Sequence, residues 1–311
     1  MPTGERVFKV RLETFSKTRS RTQPTGQSVN LLPHIKMLRP AQWVKNLMLL
    51  FPPFLGGEIL RHGLWGEALV PLVSFCFVSS STYVFNDILD RERDALHPKK
   101  RHRPIASGAV SLLTAKAFAS ALLVLALGSA MTVSLQFLLL TLLYLCISIL
   151  YSVRLKQLPV VDIFCISAGF LLRLEAGGVA FGIVISDWLF LSVFLLAVFL
   201  STGKRIHEKS LLGEGAGEHR SSLAAYPKGF LDGTMYLSGS AVLVTYTMYV
   251  IARHSLVYTV PLCCFGLLRF MFRVRTGKGG DPTESLLRDR QLFAVSLLWV
   301  LMFGYSIYWE G

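Results

Sequence analysis

The stretch NDILDRERD at residues 86–94 places four acidic side chains directly after an apolar run over residues 67–86. A run of about 20 apolar residues is long enough to cross a bilayer as a helix. Asn86, Asp90 and Asp94 are spaced at i, i+4 and i+8, so in a continuous helix of about 3.6 residues per turn they share one face. The sequence therefore predicts a membrane-spanning helix that ends in an acidic face.

The same apolar pattern fills most of the chain. Only 16% of the 311 residues are charged, whereas soluble domains usually carry about 25%. We predict an all-α, polytopic membrane protein with about nine transmembrane helices, at roughly 43–60, 67–86, 111–130, 133–152, 159–181, 186–203, 234–252, 256–272 and 291–309. Pro52, Pro53, Gly56 and Gly57 interrupt the first span, and such breaks are tolerated where the freed backbone is buried in protein or lines a cavity.

The distribution of lysine and arginine predicts the orientation. With the N-terminus inside, 28 of the 32 basic residues fall in cytoplasmic segments, and Arg61 and Arg253 are the two in external ones. Because cytoplasmic loops carry the excess of basic residues, the acidic motif is expected at the cytoplasmic face and the C-terminus outside. Residues 1–35 are predicted to form a flexible basic cytoplasmic arm, and residues 36–311 a single transmembrane domain.

The net charge of +13 would suggest a nucleic-acid partner for a soluble protein. In a chain this apolar, it instead favours membrane lipids and phosphorylated substrates, and no nucleic-acid partner is expected.

The acidic motif has two interpretations. Three oxygen-bearing side chains on one helix face suit a hard cation such as Mg²⁺, which commonly bridges a few carboxylates to substrate phosphates. The alternative is a solvated helix end that is held by Asp–Arg pairs. The position of the motif directly after a membrane span favours the first interpretation, since acidic groups near the membrane are usually functional.

Basic segments at the ends of other spans are candidates for binding phosphate groups. Residues 97–108 follow the acidic motif, and they either clamp phosphate or form an ordinary basic cytoplasmic loop. Arg154 and Lys156 close the fourth span at the same membrane depth. Lys204 and Glu208 end the sixth span at i, i+4, where a helix-stabilising pair is the alternative.

Two charges lie deeper in the fifth span. Arg173 and Glu175 each need a partner or a polar cavity at that depth, and the sequence leaves open whether they form an ion pair or bind a lipid headgroup. Asp162, at the start of the same span, is expected near the level of the acidic motif.

These residues together resemble the UbiA superfamily of intramembrane prenyltransferases. The run from Asn86 to Asp94 is similar to the first metal motif of that superfamily, and Tyr151 to Lys156 is similar to its second signature region. The resemblance implies nine helices around a central cavity, with the polar site under a cytoplasmic cap.

The chain most resembles the decaprenyl-phosphate phosphoribosyltransferase subfamily. The matching segments are spread along the chain, at residues 38–46, 86–108, 151–156, 173–178, 203–208 and 279–290. This resemblance implies a bacterial inner-membrane enzyme with Mg²⁺ as its cofactor. The enzyme would transfer 5-phosphoribosyl from phosphoribosyl pyrophosphate (PRPP) to a polyprenyl phosphate and release pyrophosphate. The product would be a precursor of arabinose donors, for cell-wall glycan or for a secreted signal such as a nodulation factor.

The resemblance also implies roles for individual residues. Asn86, Asp87, Asp90 and Asp94 are the predicted metal ligands, and Asp90, Asp94 and Lys204 are the predicted catalytic residues. The predicted substrate- and phosphate-binding residues are Lys45, Asn46, Lys99, Arg101, Arg103, Tyr151, Arg154, Lys156, Asp162, Arg173, Lys204, Arg205 and Glu208.

One segment departs from the pattern of the prenyl-diphosphate users in the superfamily. Those enzymes carry a second aspartate-rich motif near the end of the sixth span, whereas residues 201–208 here read STGKRIHE. One acidic and one basic motif suit a diphosphate together with further phosphate groups. The alternatives are a prenyltransferase that acts on an aromatic or other acceptor, and a non-catalytic membrane protein. The prenyl chain length and the oligomeric state, a homo-oligomer included, stay open.

Overall fold

The computed structural model describes residues 31–98, 100–212, 221–253 and 256–309. This part of the chain is helical and contains no strand. The α-helices are α1 Leu32–Leu38, α2 Phe51–Leu55, α3 Leu64–Leu89, α4 Arg91–Leu96, α5 Leu112–Val133, α6 Leu135–Val153, α7 Val161–Phe181, α8 Asp187–Leu212, α9 Ser221–Ala225, α10 Phe230–Ala252, α11 Val260–Arg275, α12 Pro282–Arg288 and α13 Arg290–Trp309. Short 3-10 helices occupy Pro40–Leu50, Lys100–His102, Leu155–Gln157 and Val257–Thr259.

Eight helical segments in the described residues are long and apolar enough to cross a membrane. They are α3, α5, α6, α7, α8, α10, α11 and α13, and the segment of α11 includes the 3-10 turn Val257–Thr259 that precedes it. Seven of them coincide with a predicted span to within a few residues, and α8 extends nine residues beyond the predicted end at residue 203. The protein is therefore an all-α, multi-pass membrane protein, as the sequence predicts.

The first predicted span, 43–60, is interrupted, as its prolines and glycines predict, and it forms no helix long enough to cross a membrane within the described residues. The chain forms a 3-10 helix up to Leu50 and then the five-residue helix α2, which ends at Leu55. Pro52 and Pro53 lie in the first turn of α2, where a missing backbone N–H is tolerated. Gly57 then has a positive φ of 83°, a conformation that glycine adopts without steric cost. The chain changes direction at this residue, after the end of α2.

The broken segment is held by a close contact with α7. A Cβ atom at Gly177 would lie 2.3 Å from the backbone oxygen of Leu49, so only glycine allows the two backbones to approach this closely. Leu49 also packs into a buried cluster with Phe75, Phe137 and Tyr144. The ring centroids of Phe75 and Phe137 are 5.7 Å apart in an edge arrangement, which is favourable for aromatic pairs. This cluster fixes α3, α6 and α7 around the 3-10 segment.

The helix that carries the acidic motif does not continue through it. Helix α3 ends at Leu89, Asp90 is the junction residue with φ −91° and ψ 4°, and α4 begins at Arg91. The expectation of one continuous helical face through Asn86, Asp90 and Asp94 was therefore wrong. Helical hydrogen bonds still cross the junction, from the Asp90 N–H to the Asn86 carbonyl and from the Asp94 N–H to the Asp90 carbonyl.

The predicted arm over residues 1–35 lies mostly outside the described residues, which begin at residue 31. Residues 32–35 belong to helix α1. The rest of the arm stays a prediction.

Candidate active site

A cavity of about 410 Å³ lies where α3, α6 and α8 end and α7 begins. Its charged lining residues are mainly basic. The cationic lining residues in the described part of the chain are Arg39, Lys45, Lys100, Arg103, Arg173, Lys204 and Arg205, and the acidic ones are Asp90, Glu208 and Asp281. A concave site with this excess of positive charge is suited to substrates that carry several phosphate groups.

Asn86 and Asp90 form the acidic edge of the cavity, and both bind the same cation. The ammonium group of Lys156 lies 2.7 Å and 2.8 Å from the two carboxylate oxygens of Asp90, and it donates to Asn86 Oδ1 at 3.2 Å. Lys156 is only 6% exposed. The side-chain oxygens of Asn86 and Asp90 therefore converge on one positive charge.

Asp87 and Asp94 belong to a second cluster beside the first. Arg103 Nη1 donates to Asp87 Oδ1 at 2.9 Å and to Asp94 Oδ2 at 2.5 Å, and Arg39 Nη2 donates to Asp87 Oδ1 at 2.5 Å. Both carboxylates are almost fully buried, and neither lines the cavity, whereas both arginines do. Burial raises the pKa of Asp94, and the nearby guanidinium of Arg103 opposes that rise.

Arg173 is a buried cation of the cavity lining. Its guanidinium donates to Asn46 Oδ1 at 2.8 Å, to the Gly169 carbonyl at 2.7 Å and to the Tyr144 hydroxyl at 3.0 Å. These partners are neutral, and no ion pair with Glu175 occurs among the described residues. The charge of Arg173 is therefore stabilised by three neutral acceptors, and Arg173 also lines the cavity.

Arg205 is held in a network of buried polar groups. It is 1% exposed, its Nε lies 3.0 Å from Asp162 Oδ2, and it pairs with Glu208 as well. Its Nη2 donates to the Tyr151 hydroxyl at 3.3 Å. Tyr226 donates to Asp162 Oδ1 at 2.6 Å. Two carboxylates therefore balance the charge of Arg205 and fix its position at the cavity wall.

Lys204 faces a carboxylate that the sequence analysis did not single out. Asp281 Oδ2 lies 3.5 Å from Lys204 Nζ, and Asp281 also caps helix α12 by accepting from the N–H groups of Thr283 and Glu284. Burial alone would raise the pKa of Asp281, but Lys204 and Lys45 outweigh it, so the pKa lies below its ordinary value. Asp281 is therefore a carboxylate in the basic half of the cavity.

Gly280 allows the loop before α12 to lie close to α8. A Cβ atom at Gly280 would lie 2.5 Å from His207 Cβ and 2.9 Å from the Gly203 carbonyl oxygen. The loop before α12 can therefore lie directly on the backbone of α8, and this contact places Asp281 beside Lys204.

Residues 50–298 match the UbiA prenyltransferase family. The chain belongs to this family. A decaprenyl-phosphate phosphoribosyltransferase from Corynebacterium glutamicum is 34% identical to it, over 88% of this chain and 86% of that protein. A decaprenyl-phosphate phosphoribosyltransferase from Mycolicibacterium smegmatis is also 34% identical, over 93% of this chain and 97% of that protein.

The fold of this UbiA family member agrees with that of solved relatives. A UbiA homologue from Archaeoglobus fulgidus, solved with GPP and Mg²⁺ bound, superposes with a TM-score of 0.70 at 22% identity, covering 89% of this chain and 99% of that chain. The predicted resemblance and the predicted fold class are both confirmed.

The UbiA-type cavity brings together many of the residues that were predicted as site residues. Those that line it are Lys45, Asn86, Asp90, Arg103, Tyr151, Arg173, Lys204, Arg205 and Glu208. Asn46, Lys156 and Asp162 are buried behind the lining, where they contact Arg173, Asp90 and Arg205, respectively.

Other predicted residues lie apart from the cavity or cannot be placed. Arg101 and Arg154 are exposed and do not line it, and Lys99 lies outside the described residues. The described part contains no group of three or more His, Cys, Asp or Glu side chains arranged to hold a metal ion. The four predicted ligands are instead divided between Lys156 on one side and the two arginines on the other.

The cavity also contains residues that sequence reasoning missed. Arg39 and Asp281 lie in segments that carry the family resemblance, at residues 38–46 and 279–290, but no charge pattern marked them. Tyr83 and Tyr144 lie in apolar spans, where a tyrosine gives no signal that separates a cavity wall from the core.

Proposed function

We propose that this protein transfers the 5-phosphoribosyl group of PRPP to a polyprenyl phosphate of the decaprenyl type. The bond between ribose C1 and the pyrophosphate oxygen breaks with its electron pair on pyrophosphate, and a bond forms from C1 to an oxygen of the lipid phosphate. Decaprenyl-phosphate phosphoribosyltransferases are similar to this chain over most of its length. The excess of cationic over acidic side chains in the cavity lining is the structural observation that carries the proposal.

The charge of the cavity discriminates between this reaction and transfer from a prenyl diphosphate. A second acidic metal site opposite the first would suit a single diphosphate. Here Lys204 and Arg205 line the cavity, and Asp281 and Glu208 pair with them. The excess of cationic over acidic side chains in the whole lining suits the additional phosphates of PRPP and of the lipid, so the prenyltransferase alternative is not favoured.

Asn86 and Asp90 are the residues that fit a divalent cation. Their oxygens already surround one positive charge, the ammonium group of Lys156. Mg²⁺ often takes one or two protein ligands and completes its coordination with water and substrate phosphates. Bound between Asn86 and Asp90, Mg²⁺ would neutralise the negative charge that develops on the leaving pyrophosphate.

The remaining residues of the cavity position the two substrates. Lys45, Lys204 and Arg173 present positive charge to phosphate groups from three different helical segments. Because the lipid phosphate is already an anionic nucleophile, the reaction needs no general base from the protein. Catalysis then rests on the alignment of two bound substrates and on the stabilisation of the departing charge.

The proposal includes a location. The excess of basic residues on one side of the spans supports a cytoplasmic active site in a bacterial inner membrane. A polyprenyl phosphate would reach the site from the lipid phase, and PRPP from the cytoplasm. The product would serve as a precursor for an enzyme that converts lipid-linked phosphoribose into an arabinose donor.

The experiment uses purified protein in detergent or nanodiscs with labelled PRPP, decaprenyl phosphate and Mg²⁺. The label is expected in the lipid extract, and Asp90→Asn is expected to reduce it at least about tenfold, since a charge-assisted contact is lost. An unlabelled lipid extract, in an assay that works with a known decaprenyl-phosphate phosphoribosyltransferase, would refute the proposal.

A further inference from the structure

The acidic motif contains two clusters with different neighbours. Asn86 and Asp90 line the cavity and contact Lys156. Asp87 and Asp94 lie outside the cavity lining, at 2% and 3% exposure, and contact arginines. The motif therefore has an inner cluster, Asn86 and Asp90, which lines the cavity, and an outer cluster, Asp87 and Asp94, which contacts the arginines.

The outer cluster is organised around Arg103. Its Nη1 bridges Asp87 and Asp94, which belong to two different helices, α3 and α4. Nε and Nη2 of Arg103 bond to no residue in the described part of the chain, although Arg103 lines the cavity. The two carboxylates thus hold one edge of the guanidinium and leave the rest available to an anion.

Arg39 completes the cluster from the N-terminal side. Its Nη2 reaches Asp87 at 2.5 Å, and its guanidinium lies 5.3 Å from the ring centroid of Tyr83. Arg39 has a positive φ of 54°, a conformation that non-glycine residues adopt at a cost and that persists where surrounding contacts enforce it. Two cavity-lining arginines are therefore oriented by the same buried carboxylate.

We propose that Asp87 and Asp94 are positioning residues rather than metal ligands, and that they hold Arg103 and Arg39 as an anion clamp for the diphosphate of the substrate. The spacing fits this division, because residues seven positions apart, such as Asp87 and Asp94, lie on nearly the same side of a helix. Asn86 and Asp90 line the cavity, while Asp94, on helix α4, contacts Arg103. The inference deepens the proposed function, because it names the residues that recognise the diphosphate without the cation.

Two binding measurements separate an anion clamp from a metal site. Calorimetry gives the affinity for inorganic pyrophosphate in the presence of a chelator, and electron paramagnetic resonance gives the affinity for Mn²⁺. We expect Asp94→Asn to weaken pyrophosphate binding about tenfold, as for the loss of a charge-assisted contact, and to change Mn²⁺ binding by less than about twofold. Asp90→Asn is expected to weaken Mn²⁺ binding about tenfold.

A double-mutant comparison tests the connection through Arg103. Arg103→Met should weaken pyrophosphate binding as Asp94→Asn does, and the double variant should be no weaker than Arg103→Met alone. Glu92→Gln is the matched control, because it removes a carboxylate from the same short helix at an exposed position, and its binding should equal that of the wild type. Thermal unfolding of each variant identifies one that fails to fold, in which case Asp87→Asn replaces Asp94→Asn.

The inference is overturned if Asp94→Asn weakens Mn²⁺ binding about tenfold with pyrophosphate binding intact, or if the effects of Asp94→Asn and Arg103→Met add. Absence of pyrophosphate binding by the wild type would also overturn it. A wild-type protein that binds pyrophosphate but does not transfer label from PRPP would instead refute the proposed function, and the comparison of variants would still decide the role of Asp94.

Discussion

At the scale of single residues, the site depends on which cation pairs with each carboxylate of the acidic motif. Lys156 approaches Asp90 from 66 positions away in the sequence, and Arg39 approaches Asp87 from 48 positions away. The spacing of Asn86, Asp90 and Asp94 predicts one acidic face, and Asn86 and Asp90 line the cavity whereas Asp94 does not. It carried no information on these distant partners, because they are set by how α3, α7 and the 3-10 segment pack.

Lys156 gives the first prediction. Its ammonium group occupies the position between Asn86 and Asp90, so it competes with a divalent cation for the same oxygens. Lys156→Met is therefore expected to increase the affinity for Mn²⁺ about tenfold, in keeping with the free energy of a hydrogen bond between charged groups. Electron paramagnetic resonance of Mn²⁺ with the substrate-free protein measures this.

Arg154→Met is the control for this prediction, because Arg154 is an exposed basic residue two positions away, and it should leave Mn²⁺ binding nearly unchanged. Equal or weaker Mn²⁺ binding by Lys156→Met would show that Asn86 and Asp90 do not form the cation site.

Gly280 gives a second prediction at this scale. A Cβ atom there would lie 2.5 Å from His207 Cβ, so Gly280→Ala must push the loop before α12 away from α8. Asp281 would then separate from Lys204. We expect transfer activity to fall about tenfold and the free energy of unfolding to fall by about 1–3 kcal/mol, as for overpacked sites. Gly233→Ala is the matched control, since a Cβ atom there has open space. Wild-type activity in Gly280→Ala would contradict the account of this contact.

At the scale of elements, the segment from Pro40 to Leu55 shows why one predicted span failed. Its apolar residues satisfy a transmembrane pattern, but the prolines at 52 and 53 and the glycines after α2 divide it. The apolar pattern carries no information on the close contact between the Leu49 backbone and Gly177, which holds the 3-10 segment against α7. The other eight spans were predictable because uninterrupted apolar length alone determines a membrane helix.

The contact at Gly177 gives a prediction for this element. Gly177→Ala would place a Cβ atom 2.3 Å from the Leu49 carbonyl oxygen, which forces the 3-10 segment away from α7. Lys45 and Asn46 lie on that segment, so both stability and activity should fall, the free energy of unfolding by about 1–3 kcal/mol. Gly128→Ala is the control, because a Cβ atom at this position of α5 has open space. Its stability and activity should equal those of the wild type. An unchanged unfolding temperature for Gly177→Ala would contradict the proposed packing.

A short strained connection joins α6 to α7 beside the site. Val160 has a positive φ of 67°, which is rare for a β-branched residue and costs of the order of 1–3 kcal/mol. The Val160 N–H donates to the Tyr226 hydroxyl at 2.6 Å, and Ser222 Oγ donates to the Lys156 carbonyl at 3.0 Å. Helix α9 and the residues after it therefore help to fix the loop that carries Lys156.

At the scale of the whole molecule, the fold places the cavity that contains the charged residues where α3, α6 and α8 end. The basic residues predict that this end faces the cytoplasm. The orientation can be tested by cysteine labelling in a variant that lacks the five native cysteines. Arg61→Cys, at an exposed position that is predicted to be external, should react with an impermeant maleimide in intact cells, and Arg101→Cys only after permeabilisation. The reverse pattern would invert the topology.

The central claim is that the cavity joins a phosphoribosyl group to a lipid phosphate, and mass spectrometry of the lipid product tests it most directly. Wild-type protein, PRPP and decaprenyl phosphate should yield a lipid whose mass exceeds that of decaprenyl phosphate by one phosphoribosyl group, and Asp90→Asn should yield at least about tenfold less of it. A wild-type reaction that leaves decaprenyl phosphate unmodified, while the same protein transfers a prenyl group from a prenyl diphosphate to another acceptor, would contradict the claim.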